Sequence, residues 1–169
     1  KRLRQEDNPP ARFLDSCLPW QMPYLNLRNH QKILVVDGQV GFTGSMNIAA
    51  GNLPHTNPRH PIRDIHYAVE GPVVAHLMAA FAHEWRFSTG ELLVGDTWRP
   101  ELSTKGDVVA RGLPAGPDMN RNTIRWTFLA GLSEARQHVR IVTPYFLPDS
   151  DLITALSLAA MRGVIVDIV

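Results

Sequence analysis

The sequence predicts an α/β protein whose mostly parallel or mixed sheets are flanked by helices, and three observations carry that expectation. Strand-length, β-branched apolar runs recur, such as KILVV at 32–36 and VIVDIV at 164–169. Between them, apolar residues return at helical spacing, as Val74, Leu77, Met78, Phe81 and Trp85 do. Beyond residue 106 the runs alternate strand, helix, strand, helix, strand, the order of a parallel sheet with covered faces.

Taken in order, residues 1–27 are polar and proline-bearing and then read PWQMPYLNL, an irregular lead-in with one short strand. Lys32 to Val36 forms a strand, and Asp37-Gly38 directly after it is the strongest short hairpin signal, with Val40 to Thr43 returning. Residues 51–63 hold three prolines and no periodicity, so they read as a surface loop. A strand follows from Ile65 to Val69. Gly71-Pro72 then opens a helix that stops at Ser88-Thr89-Gly90, with Phe81 and Trp85 on its core face and His76 and His83 on the wetter one. Residues 92–106 carry two glycines and a proline and read as a linker, which divides the chain into 1–105 and 106–169. In the second part Asp107 to Arg111 is a strand and Thr123 to Arg136 a helix with Ile124, Phe128, Leu132 and Ala135 on one face. Val139 to Thr143 is a strand; Asp149 to Arg162 is a helix capped by Asp149 or Ser150 with Gly163 past its end; Val164 to Val169 is the last strand.

Seventeen basic residues against sixteen acidic ones leave a net charge of +1, so no global field draws the chain to nucleic acid, and an anionic substrate has to be held locally. The single cysteine, Cys17, has no intramolecular disulfide partner and reads as a buried or neutral thiol. No apolar stretch approaches the ~20 residues that span a bilayer. Neither end has the pattern of a terminus, and the chain is expected to be part of something longer.

The chemistry is concentrated in NHQKILVVDGQVGFTGSMN, which sets His30, Lys32 and Asp37 in the order H-x-K-x4-D, followed by Gly44, Ser45 and Asn47. On an extended strand His30 and Lys32 leave the same face. An imidazole beside a fixed ammonium suits a phosphodiester: one group attacks phosphorus while the other holds the non-bridging oxygens. Ser45 and Asn47 also differ by two and add a hydroxyl and an amide from the returning side. The arrangement requires neither metal nor cofactor. Asp37 opens the turn, which favours a structural role. His55 and His60, five apart in a proline loop without cysteine, read as solvated side chains.

These six positions resemble the signature of the phospholipase D superfamily. LRNHQKILVVDG, RDIHYAVEGPVV and IVTPYFLPDSDLITALSLAAMRGVIVDIV extend the likeness to bacterial cardiolipin synthases over most of the chain. The resemblance implies a phospholipase D-like fold with parts of two repeats: residues 1–105 the C-terminal part of the first, 106–169 the N-terminal part of the second. It implies a phosphatidyltransferase that exchanges phosphodiesters of phospholipid through a phosphohistidine, in a bacterial protein associated with the membrane surface at full length. By the same resemblance His30 and Lys32 are catalytic, Lys32, Ser45 and Asn47 contact phosphate, Asp37 and Gly44 are structural, and Asp64 is the carboxylate that orients His30. The family works with two facing histidines. None of His55, His60, His66, His76, His83 or His138 has a lysine two residues on. The second half-site is therefore expected from further along the chain or from a dimer partner. A phospholipase D-type hydrolase or nuclease, and an inactive phosphate-binding half-site, stay open as alternatives.

Overall fold

A computed structural model describes residues 29–53, 61–115 and 122–169. Cys17, the lead-in strand, His55 and His60 lie outside them. The chain divides into two compact units between Gly112 and Leu113.

In the first unit β1 (Ile33–Val36), β2 (Val40–Gly44) and β3 (His66–Glu70) form a three-stranded antiparallel sheet in that spatial order. The hairpin closes where the sequence places it. Asp37 and Gly38 take φ of 53° and 66°, and the Gln39 N–H donates to the Val36 carbonyl at 3.0 Å. Aspartate and glycine tolerate those left-handed dihedrals, which match the twist of the flanking strands. After β3, Gly71 turns the chain with φ 81° into α1 (Val73–Thr89), which ends on Gly90 with φ 76°. Helix α1 buries Val74, Leu77 and Met78 on the sheet. Each is worth about 1.5–3 kcal/mol of burial. A Cβ on Gly41 would meet Leu77 Cδ1 at 2.6 Å and Val69 at 3.2 Å, so the glycine allows the helix to lie close over β2.

The segment 92–106 is not a loose linker. Its 3-10 turn Asp96–Trp98 brings Trp98 onto Phe81, with ring centroids 5.7 Å apart and planes 2° from parallel, while Phe81 also stacks on Trp85 at 5.9 Å. Phe81 thus joins an aromatic stack and keeps 39% of its surface exposed. Nor is residue 107–111 a strand; Val108 and Val109 are exposed, and no ladder partner meets them among the described residues. This stretch is held instead by the Gly112 N–H, which donates to His76 Nδ1 at 3.0 Å. His76 therefore has a structural partner on what the sequence marked as the wet face of α1.

The second unit holds α2 (Thr123–Glu134), β4 (His138–Ile141), α3 (Ser150–Met161) and β5 (Ile165–Ile168), with β4 and β5 parallel. The strand–helix–strand order and the parallel pairing both follow the sequence pattern. Asp149 caps α3 by accepting from the Leu152 N–H at 2.8 Å, and its other oxygen lies 3.0 Å from Arg125 Nε. Arg125 also bonds Asp151. A cap of this kind contributes about 1 kcal/mol. Arg162 closes the other end by donating to the Leu132 carbonyl at 2.7 Å. Among the described residues of this unit, Leu132, Leu156, Ala159 and Val164 are buried. The molecule is thus mixed α/β, antiparallel in one unit and parallel in the other. No helix among the described residues is long and apolar enough to cross a membrane.

Candidate active site

The two faces of the first sheet are distinct. Gly41 and Val69, in register with Val35, lie against α1. Asn29, Gln31 and Ile33 line one cleft with Phe81, Glu84, Trp85 and Ser88 of the same helix. Odd positions on this stretch therefore face α1. By alternation His30 and Lys32 leave on the other face, with Leu34 and Val36, which are 59% and 43% exposed. His30 and Lys32 precede β1 rather than lying inside it. The Lys32 ammonium folds back to donate to the His30 carbonyl at 2.6 Å. The His30 ring itself makes no hydrogen bond among the described residues and is exposed.

Asp64 has different partners from the expected one. The Ser45 hydroxyl donates to Asp64 Oδ1 at 2.7 Å, and Asn52 Nδ2 donates to Asp64 Oδ2. No hydrogen bond joins Asp64 to His30. The strand order supplies the reason: β2 lies between β1 and β3, so a carboxylate entering β3 stands two strands, roughly 10 Å, from residues entering β1. It meets β2 first. Ser45 is correspondingly engaged, with its N–H on the Ile65 carbonyl at 3.0 Å and its hydroxyl hydrogen on Asp64. Asn47 lies on the exposed segment between Ser45 and Asn52, and its side-chain amide carries no hydrogen bond among the described residues. Asp64 thus ties both ends of the segment that presents Asn47. Asp37 occupies the turn at the far end of the hairpin. Gly44, with φ 153°, ends β2 beside His66.

Two residues of this cluster were not legible beforehand. Asn52 sits in a segment that reads as an irregular polar loop but forms the 3-10 turn Ala50–Asn52. His66 carries no motif, and only the sheet register brings it to Gly44. Among the described residues no three histidine, cysteine, aspartate or glutamate side chains converge in a way that could hold a metal ion.

The amino-acid sequence that forms this hairpin and the units around it has relatives among known proteins. Cardiolipin synthase of Alkalihalophilus pseudofirmus is 37% identical over 166 residues, 97% of this chain. This chain is a homologue of the cardiolipin synthases. The likeness is consistent with membership of the phospholipase D superfamily. Cardiolipin synthase of Geobacillus kaustophilus is 36% identical over 87% of the chain, and cardiolipin synthase A of Pseudomonas putida 38% identical over 83%. The chain spans about a third of the length of these curated relatives: 33%, 30% and 29%. No family model matches it, and no solved structure does.

Proposed function

We propose that the full-length protein is a phosphatidyltransferase of the cardiolipin synthase kind, and that this chain supplies one of its two phosphate-handling half-sites. The observation that carries the reading is the shared face: by alternation His30 and Lys32 project from the side of the sheet that α1 leaves uncovered, at the end where β2 runs on toward Asn47. Residues 1–105 act as the C-terminal part of one repeat and 106–169 as the start of a second, whose own histidine and lysine come from elsewhere in the protein or from a partner copy.

In this reading one histidine of the pair attacks phosphorus. A P–N bond forms, the P–O bond to the leaving glycerol breaks, and the second histidine gives its proton to the departing oxygen. The acceptor hydroxyl then yields its proton to that same histidine and attacks phosphorus, and the imidazole is released. Lys32 and Asn47 hold the non-bridging oxygens throughout. The substrate is a phospholipid met at a membrane surface. In the test, phosphatidylglycerol vesicles given to full-length protein yield a two-phosphate lipid and free glycerol in equal amounts. Release of phosphatidic acid alone would assign a hydrolase instead, and no turnover would leave a phosphate-binding half-site.

Asp64 enters this mechanism as a positioning residue for the Asn47 segment. Its two oxygens accept from Ser45 and Asn52, and an amide has only one acceptor. Asp64→Asn is therefore expected to keep the fold and to lower kcat/KM of the full-length protein about 10-fold, because a loosened segment misplaces its phosphate contact. Wild-type kcat/KM in that variant would remove Asp64 from the site.

A further inference from the structure

We infer that His66 is a further phosphate-binding residue of this half-site, donating from Nε2 to a non-bridging oxygen of the substrate; the inference rests on the phosphodiester reading above. His66 pairs with Gly44 across β2 and β3. It stands three residues from Val69, which faces α1, so its side chain leaves on the opposite face, the one that carries His30 and Lys32. Continuing the β1–β2 register one residue beyond Ile33↔Thr43 sets Lys32 opposite Gly44. Lys32, Gly44 and His66 therefore form one row across three strands, with the side-chain-free position in the middle.

The glycine is what lets the imidazole lie there. A Cβ at position 44 would stand 2.8 Å from His66 Nδ1. That nitrogen is buried and has no hydrogen-bond partner, whereas Nε2 makes no hydrogen bond among the described residues, and His66 as a residue is only half-buried. A buried N–H without an acceptor costs more than an unused lone pair, so in the neutral ring the proton resides on Nε2. The ring is thus fixed with Nδ1 against the Gly44 backbone and Nε2 as the donor, on the face of the sheet that Lys32 shares. An imidazole N–H and an ammonium on one face of the sheet fit the two non-bridging oxygens of a phosphodiester.

The test compares His66→Gln, His66→Asn and His66→Ala in full-length protein on phosphatidylglycerol vesicles and on the soluble diester bis(p-nitrophenyl) phosphate, with thermal unfolding in parallel. Glutamine carries an amide N–H to the Nε2 position, and asparagine reaches only Nδ1. Loss of a bond to a charged oxygen, equal in ground and transition states, raises KM about 10-fold or more and moves kcat little. The expected result is such a rise in KM for His66→Asn and His66→Ala on both substrates, with KM for His66→Gln within about 3-fold of wild type. Equal kinetics for all three variants, whether all like wild type or all impaired alike alongside a lowered melting temperature, would overturn the assignment, because a packing role does not distinguish glutamine from asparagine. An active wild type with unaltered His66→Asn removes His66 alone. A wild type inactive on both substrates removes the phosphodiester reading and this inference with it.

Discussion

Replacing His30 by alanine in the full-length protein is expected to lower phosphodiester turnover by at least about 10³-fold, since a group that forms the covalent intermediate or passes the proton has no substitute in the site. The same variant should unfold within about 0.5 kcal/mol of wild type, as surface substitutions do. The His30 ring is exposed and makes no hydrogen bond among the described residues, and the bond that His30 does contribute comes from its carbonyl, which alanine retains. Steady-state kinetics together with urea unfolding separate the two quantities. Retention of more than about a tenth of the activity would remove His30 from the chemistry, and a large fall in stability would recast it as a structural residue. Lys32 provides the contrast. Its ammonium rests on the His30 carbonyl, so phosphate has to draw it away from a neutral acceptor, an exchange that favours the charged oxygen.

How much of this was legible beforehand divides along the range of the signals. The Asp37-Gly38 hairpin, the start of α1 after Gly71-Pro72, its stop at Gly90 and the Asp149 cap of α3 are all local, and the structure places each within a residue or two of where the sequence sets it. What failed depended on distant partners. Asp107 to Arg111 has the composition of a strand, but a strand needs a ladder neighbour, and Val108 and Val109 find none among the described residues. Residues 92–106 have linker composition, yet Trp98 finds Phe81, a contact no window of sequence contains. Asp64 is the instructive case. Its place at the entry to β3 was legible, but the order β1-β2-β3 was not, and that order puts the middle strand between the carboxylate and His30. Spacing along a chain locates a residue on its strand, whereas its neighbour across the sheet depends on which strand intervenes.

Gly44 is where these levels meet, and Gly44→Ala is expected to be the most destabilising single methyl in the first unit. Its φ of 153° lies where a side chain is rarely tolerated, and the added Cβ would press on the Ile65 carbonyl, on His66 Cα at 2.7 Å and on His66 Nδ1 at 2.8 Å. Two of those are backbone atoms of the neighbouring strand, so relief has to come from separating β2 and β3. That separation would break the Ser45 N–H bond to the Ile65 carbonyl and slacken the Ser45–Asp64 pair beside it. A loss of about 2–3 kcal/mol is expected, from overpacking and a strained dihedral together, read as a shift of the urea midpoint at unchanged m. Gly41→Ala is the control. There the closest atom is the movable end of Leu77, with Val69 at 3.2 Å, so a smaller cost of about 1 kcal/mol is expected on the face away from the site. Activity should follow the same division. Gly44→Ala displaces Asn47 and His66 and lowers turnover even where the protein remains folded, while Gly41→Ala leaves turnover near wild type. Equal losses of activity from the two substitutions would mean that the site does not depend on the close approach of β2 and β3 at Gly44.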